Sequence, residues 1–279
     1  MIQKSDLEGW IDFPTLESKV ENVILSSLQE PESLLRFLFC YVSWNGYFGS
    51  GVATLSGKIG RSQSVFIDPD ESFLPAADRA VLIASYVFDA ARDEFDDSST
   101  IWRDTHRCLA QALLKGCHQF FSKKTSLDSS TLYRSPFWLN GLNSRVAQGY
   151  GAGSSDDALH IFRALGYHVG SELLADKEFS IIDATLSKRY PKLVEFLSEE
   201  RFVVGDAEHS GYAWFSIHSG HGGGVEADHF SYAMRSVELA FQFIDAPLKE
   251  EMRHHFSEGF QLFARDHSDF FNQVHGEQI

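Results

Sequence analysis

Apolar residues recur at helical spacing along almost the whole chain, and this periodicity limits the fold more than any other feature. The chain has 7 prolines in 279 residues, and none of them falls in the middle of a long apolar-periodic stretch. Alternating apolar and polar residues, which are typical of strands, are scarce, and residues 201–205 form the one short candidate. Hydrophobic residues make up 43% of the chain, which is enough for a large core. We therefore predict one all-α domain over residues 1–279, with about eight or more helices.

Breaks rich in Gly, Ser and Asp divide this pattern into separate helices. Residues 49–70 are predicted to form a loop, and residues 122–135 a polar, exposed segment. No period of 20–50 residues repeats, which excludes a solenoid. The predicted helices cover residues 16–28, 33–47, 75–94, 102–121, 136–148, 156–176, 179–190, 191–200, 208–218, 225–243 and 247–271.

Charge and cysteine content exclude several classes of protein. A formal charge of −15 repels phosphate backbones and anionic lipids, so neither nucleic acid nor a membrane surface is an expected partner. The three cysteines, Cys40, Cys108 and Cys117, lie in apolar helical stretches and indicate reduced thiols rather than a disulfide framework. The N-terminus lacks the apolar stretch of a signal peptide, and the longest apolar run, residues 34–44, is too short to span a bilayer. We expect a soluble, cytoplasmic protein.

The segment Glu226-Ala227-Asp228-His229 carries the strongest chemical signal. A Glu-x-x-His pair on a helix places a carboxylate and an imidazole on one face, close enough to hold one metal ion. Such pairs build carboxylate-bridged dimetal sites in helical bundles. His218 and His221 precede the pair and are further candidate ligands.

Three more ionisable residues extend apolar stripes of predicted helices. They are Glu94 after Ala80, Ala84, Val87 and Ala91, His106 before Leu109, Leu113 and Cys117, and Glu172 after Leu165 and His168. An isolated buried carboxylate is costly unless it is paired or binds a metal. Two divalent cations about 3.5–4 Å apart would satisfy all of these groups. Oxygen and imidazole ligands without a thiolate favour iron or manganese.

Each candidate also has an ordinary structural explanation. These are a helix end beside an acidic loop for Glu94, a contact with Asp104 for His106, an ion pair with Lys177 for Glu172, a carbonyl-capped core histidine for His218 and a loop position for His221. The pair of Glu226 and His229 is the least easily explained in this way. His254, His255 and His267 of the last helix are predicted to be exposed.

The residues from about 74 to 243 resemble the haem-oxygenase-like dimetal (diiron) oxidases. The matching segments are Ala90-Ala91-Arg92-Asp93-Glu94-Phe95, Thr105-His106-Arg107-Cys108-Leu109, Gly170-Ser171-Glu172-Leu173-Leu174, and Glu226 with His229. The resemblance implies a helical core of about seven helices without haem. It also implies that the metal-binding and catalytic residues are Glu94, His106, Glu172, His218, Glu226 and His229.

The chain departs from the family pattern at two places. The first histidine of the family's last ligand helix corresponds to Gly222, so that His218 or His221 must take its place. We favour His218, because it lies on one predicted helix with Trp214. The loop before His106 is long, and Asp96 or Asp97 could substitute for Glu94.

The resemblance implies an enzyme that uses two Fe(II) ions, with manganese as an alternative, and O2 as co-substrate. No histidine precedes His106, which argues against a haem bound at an early proximal histidine. The first expected reaction is N-oxygenation of a small amine or amino-acid-derived substrate in natural-product biosynthesis. The alternatives are C–C cleavage or decarboxylation by a diiron member, a metal-free oxidase of the same fold, or a non-catalytic helical interaction protein.

The remaining expectations concern partners and the substrate pocket. An external electron donor and a homodimer are both left open. Tyr212, Trp214 and Phe95 are candidate pocket walls, and Arg92 or Arg163 is a candidate partner for a substrate carboxylate.

Overall fold

A computed structural model of the chain describes residues 2–71, 73, 77–96, 104–122, 129–219 and 225–277, with the side chains of 225–227 left out. The described residues are mostly helical, which confirms the all-α prediction at the level of fold class. The helices are α1 Lys4–Trp10, α2 Phe13–Ser27, α3 Pro31–Asn45, α4 Phe48–Arg61, α5 Ala80–Phe95, α6 His106–Ser122, α7 Ser129–Leu132, α8 Phe137–Gly149, α9 Ala158–Arg189, α10 Pro191–Glu199, α11 Ala213–His218, α12 Val225–Phe243 and α13 Lys249–Gly276. A 3₁₀ turn at Ala246–Leu248 leads into α13.

Two short antiparallel hairpins accompany the helices. Strand β1 (Ile67–Asp68) pairs with β2 (Ala77–Asp78), and β3 (Arg201–Val204) pairs with β4 (Ala207–Ser210). The predicted strand at residues 201–205 is thus confirmed. The helix predicted to begin at residue 208 is wrong at its start, because that position belongs to β4 and the helix begins at Ala213. Likewise, α5 begins at Ala80, because residues 77 and 78 pair with β1.

The long helix α9 packs along α13 and forms the centre of the fold. Two glycines make this approach possible: a Cβ on Gly166 would lie 1.9 Å from the Phe256 carbonyl oxygen, and one on Gly259 would lie 1.8 Å from the Arg163 carbonyl oxygen. The sequence pattern predicted two helices here, but the chain continues unbroken through residues 177 and 178. Because α9 is one continuous helix, the positions of the side chains in its two halves are fixed relative to each other.

The prediction of a loop over residues 49–70 is wrong for most of its length, because α4 extends to Arg61. Its glycines are packing positions rather than breaks. A Cβ on Gly51 would lie 2.3 Å from the Tyr150 ring, and one on Gly49 would lie 2.8 Å from Cβ of Glu94. Small residues there let α5 and the Tyr150 ring approach the helix, while Val52, Leu55 and Ile59 are buried in the core.

The apolar stripes that carry the candidate ligands face the core, as predicted. Their other members are buried, namely Ala80, Ala84, Val87 and Ala91 in α5, Leu109, Leu113 and Cys117 in α6, Leu165 in α9, and Ala233, Val237 and Ala240 in α12. Helix α5 packs against α4 and α12, and α12 packs against α9. None of the helices in the described part of the chain combines the length and the apolar composition needed to cross a membrane.

Candidate metal centre

A cavity of about 330 Å³ lies between the helices that carry the predicted ligands. Five of the six predicted ligands line it: Glu94 from α5, His106 from α6, Glu172 from α9, His218 from α11 and His229 from α12. The side chain of the sixth, Glu226, lies outside the described residues, as do His221, Gly222 and Asp97. Asp96 ends α5 as its C-cap and does not line the cavity.

One half of the site consists of Glu94, His106 and His218. The Nδ1 atom of His106 lies 3.1 Å from Oε1 of Glu94, and the His106 and His218 ring centroids are 4.5 Å apart. Each residue offers one ligand atom such that all three atoms lie within 4.8 Å of one another. Both histidines are buried. This spacing suits ligands around one cation.

His218 is oriented by the backbone of its own helix. Its Nδ1 donates a hydrogen bond of 2.6 Å to the carbonyl oxygen of Trp214, which leaves Nε2 as the nitrogen with a lone pair. Phe179 stacks on the ring, with centroids 4.2 Å apart. Burial, and then the nearby His106, lower the pKa of His218 well below its usual value, against the opposing effect of the Trp214 carbonyl. A neutral imidazole with a fixed tautomer is the form that binds metals.

The other half of the site surrounds His229. Its Nε2 lies 3.1 Å from Oδ2 of Asp93, and its Nδ1 lies 3.7 Å from Oε2 of Glu172. Burial acts to raise the pKa of Asp93, but the hydrogen bond with His229, followed by the charges of His229 and Arg92, outweighs it and lowers the pKa. The two halves are neighbours, because His218 and His229 line the same cavity.

Sequence reasoning missed two residues of the site, Asp93 and His168. Asp93 directly precedes Glu94 and therefore lies off the apolar stripe that singled out its neighbour. His168 is fully buried, and its Nδ1 lies 3.2 Å from Oε1 of Glu172. The i, i+4 spacing of His168 and Glu172 was the available signal, because it brings the two side chains together on one helix face.

The structure also tests the ordinary explanations of these residues. Asp104 contacts the buried His209 of β4 at 2.5 Å rather than His106. Glu172 contacts His168 and His229, and no ion pair with Lys177 is present in the described residues. The carbonyl cap on His218 is present, and it is compatible with a ligand role for the other ring nitrogen.

Two predictions about other histidines and about the pocket walls need correction. His267 is buried rather than exposed, because it faces inward from α13 against Trp44 and Phe271. Of the predicted walls, Trp214 and Phe95 line the cavity, whereas Tyr212 turns away and its hydroxyl donates to Asp183.

The predicted carboxylate partners also lie elsewhere. Arg92 is exposed and contacts Asp89 and Asp93, and neither it nor the exposed Arg163 lines the cavity. The arginine that does line it is Arg107, whose Nη1 donates to the Val42 carbonyl oxygen at 2.7 Å.

The cysteines do not contribute to the cavity. Cys40 and Cys117 are buried, and burial raises the pKa of the Cys40 thiol to about 12 and that of Cys117 further. A thiol that stays protonated is a poor nucleophile. The structure therefore gives no support to a cysteine-based reaction at this site.

Comparison with protein-family models, with curated proteins and with solved structures finds no match to this chain.

The donor set contains one group, Glu94, His106 and His218, that could hold a metal ion, and His229 and Glu172 line the same cavity. Buried imidazoles, the buried carboxylate of Glu172 and the half-buried carboxylate of Glu94 come from separate helices and meet at one cavity, and no thiolate is among them. Buried carboxylates and histidines in such numbers are costly unless something between them offsets their charge and satisfies their lone pairs.

Proposed function

We propose that this protein is a non-haem diiron oxygenase related in fold to the haem-oxygenase-like dimetal oxidases. One observation carries the proposal: a histidine or glutamate from each of five helices reaches the wall of a single cavity. The sequence of α5, α6, α9 and α12 resembles the ligand segments of that family. The two lines of support are independent, because the resemblance lies in short motifs and the convergence lies in tertiary packing.

Two groups of side chains would hold the two ions. Glu94, His106 and His218 would bind the first, and Glu172 and His229 would bind the second. Glu226, the predicted ligand three residues before His229, would join the second group, and Asp93 is placed to join it as well. When bound, reduced iron supplies the binding and activation of O2.

The chain's own residues orient the ligands and form the wall of the cavity. The Trp214 carbonyl fixes the His218 ring, and Nδ1 of His168 lies 3.2 Å from Oε1 of Glu172. Aromatic side chains, including Phe48 and Phe263, line the cavity and make part of its wall apolar. A cavity of about 330 Å³ accommodates a small molecule, and N-oxygenation of a small amine or amino-acid-derived substrate is the first reaction to test.

Metal loading tests this proposal directly. Protein reconstituted anaerobically with ferrous iron should bind about two irons per chain, as expected for a dimetal site. His106→Ala and His229→Ala should each lower the iron content to about one or less, because each removes a ligand of one ion. His255→Ala, which changes a histidine paired with Glu258 away from the cavity, is the matched control.

A folded wild-type chain that binds no iron would contradict the proposal, and so would equal iron loss in the His255→Ala control. Protein that loads iron can then be mixed rapidly with O2 and candidate amines. A visible absorption band that one amine forms or removes faster than the others would identify the substrate class.

A further inference from the structure

One basic side chain lies at the mouth of the cavity that the proposed metal ligands share. Among the described residues that line this cavity, Arg107 of α6 is the one with a permanent positive charge. The exposed residues of the lining mark the mouth of the cavity: Gly46, Ser50, Phe95 and Arg107. His106, which directly precedes Arg107, is buried. The chain therefore places a cation at the surface end of the cavity and a proposed metal ligand beside it, deeper in the fold.

The guanidinium of Arg107 is held against the wall by the last turn of α3. Its Nη1 donates a hydrogen bond of 2.7 Å to the Val42 carbonyl oxygen. Gly46 makes room for it, because a Cβ at this position would lie 2.0 Å from Nη1 and 2.7 Å from Cζ. Both Val42 and Gly46 line the cavity. The charged group itself, and not only the apolar stem of the side chain, therefore lies at the wall.

Most hydrogen-bond donors of this guanidinium remain available. Arginine carries five N–H groups in a planar fork, and the bond to Val42 uses one of them. Within the described part of the chain, Arg107 forms no ion pair with a carboxylate. A fixed guanidinium without an acidic partner matches a carboxylate in both charge and shape.

We propose that Arg107 binds a carboxylate of the small molecule that occupies the cavity, so that the rest of the molecule extends inward to the proposed metal centre. A guanidinium and a carboxylate can form two parallel, charge-assisted hydrogen bonds. The first turn of α4, which includes Gly49 and Ser50, also lines the cavity, and no side chain caps this helix N-terminus. Its N–H groups therefore add partial positive charge near the mouth.

The guanidinium and the proposed metal ligands are close enough for one small molecule to contact both. Arg107 packs on Gly46, and Gly49 follows three residues later. Three residues span at most about 11 Å. A Cβ on Gly49 would lie 3.2 Å from Oε2 of Glu94, and Oε1 of the same carboxylate lies 3.1 Å from Nδ1 of His106. A molecule held by its carboxylate at Arg107 therefore has its other end beside Glu94 and His106.

This orientation distinguishes among the reactions that the resemblance leaves open. Removal of a carboxylate needs that end of the molecule at the metal, whereas oxygenation of an amine needs the amine there. With the carboxylate at the mouth, the reacting group is remote from it. The geometry thus favours a small amino acid whose amino group lies at the far end of its carbon chain.

The inference rests on the proposed function for the metal at the inner end, but its test measures carboxylate binding at Arg107. Calorimetric titration of the full chain, with and without ferrous iron under anaerobic conditions, would compare hexanoate with hexanamide. These probes have nearly the same shape and differ in charge. Wild-type protein should bind hexanoate at least tenfold more tightly. Arg107→Gln should weaken hexanoate binding at least tenfold and leave hexanamide binding unchanged.

Arg163→Gln is the matched control. Arg163 is also an exposed arginine of a neighbouring helix, α9, but it does not line the cavity. This variant should bind both probes as the wild type does. A carboxylate bound by iron alone would keep its affinity in Arg107→Gln, and that result in folded protein would overturn the inference. Equal binding of both probes by the wild type would overturn it as well.

A second measurement does not depend on the folding of any variant. In a crystal of the wild-type protein with hexanoate, the carboxylate should lie within hydrogen-bond distance of the Arg107 guanidinium. A carboxylate bound elsewhere would overturn the inference.

Iron content of the titrated samples separates the two proposals. Two irons per chain, with equal hexanoate binding by the wild type and Arg107→Gln, would leave the proposed function standing and overturn the inference. Hexanoate binding that depends on Arg107 in a chain that binds no iron would leave the carboxylate site standing without the proposed function.

Discussion

At the scale of single residues, two adjacent carboxylates at the end of α5 face different halves of the site. Asp93 contacts His229 at 3.1 Å, and Glu94 contacts His106 at 3.1 Å. Consecutive residues of a helix point about 100° apart, so that the last turn of α5 presents one carboxylate to each half. The lowered pKa of Asp93 keeps this group ionised in the neutral pH range. One helix end thus presents a carboxylate to each half of the site.

Asp93→Asn tests whether Asp93 and Glu94 act in different halves of the site. The amide keeps the size of the side chain but removes its charge, and we expect about a 10–100-fold loss of affinity for one iron with the other retained. Iron titration followed by elemental analysis would measure both affinities. Asp89→Asn, which changes a neighbouring acid paired with Arg92, should leave both unchanged. Loss of both ions together, or of neither, would be incompatible with the assignment.

At the scale of elements, the contact between α9 and α13 fixes the position of the acids and the histidine that α9 contributes near the cavity. Gly166 and Gly259 allow backbone to approach backbone, and α9 carries His168, Glu172 and Glu178 on the turns that follow Gly166. His267 of α13 reaches Glu178 only because the two helices pack this closely. The distance between the helices therefore affects both the stability of the fold and the contact between His267 and Glu178.

Gly166→Ala should separate the two helices, because the new Cβ would lie 1.9 Å from the Phe256 carbonyl oxygen and the backbone cannot rotate away. We expect a loss of about 3 kcal/mol or more in the free energy of unfolding, at the upper end of overpacking effects. Urea unfolding followed by circular dichroism would measure it. Gly141→Ala in α8 is the control, since nothing lies within 4 Å of its added Cβ. There we expect stabilisation of about 0.5–1 kcal/mol, and a similar loss in both variants would refute the packing argument.

At the scale of the whole molecule, carboxylates join segments that are distant in sequence. Asp156, before α9, contacts Lys58 and Arg61 of α4, and hydrogen bonds from Arg61 and then Lys58 lower the pKa of Asp156 to about 2. Glu277, after α13, contacts Arg36 of α3. Burial acts to raise the pKa of Glu277, but the hydrogen bond from Arg36 outweighs it and lowers the pKa. These contacts add to the stability of a chain whose net charge of −15 opposes compaction.

Acid should weaken the contact of Asp156 in a defined pH range. Because its pKa is lower in the folded protein than in the unfolded chain, the unfolded chain takes up more protons in acid. The stabilisation is therefore complete above about pH 4 and is lost as the pH falls toward 2. Urea midpoints of the wild type and Asp156→Asn should differ at pH 7, differ less at pH 3 and converge as the pH falls to about 2.

Asp206→Asn, which changes an exposed turn residue, should match the wild type at every pH. A difference between wild type and Asp156→Asn that stays constant from pH 7 to pH 2 would show that the contact does not depend on the charge of Asp156.

Periodicity is a local property, and the cost of burying charge applies to each residue separately. Both could therefore be used on the sequence before the fold was known. They predicted α12 to the residue, the core-facing stripes of α5, α6 and α9, and the candidate status of Glu94, His106, Glu172, His218 and His229. Local signals gave the wrong structure where a glycine makes room for a neighbouring side chain instead of forming a turn. Gly49 and Gly51 indicated a loop, yet they lie in α4 because Glu94 and Tyr150 occupy the space of their missing side chains.

Only the tertiary structure decided which groups meet. Asp93 and His168 joined the site, Asp104 paired with His209, and His267 turned inward to Glu178, because each contact links residues whose separation depends on how helices pack. The sequence by itself determined a helical chain with acids and imidazoles on apolar faces, since 3.6-residue periodicity is visible in one dimension. Packing alone determined the cavity that those faces enclose, because the distances between helices depend on the shapes of all the side chains that lie between them.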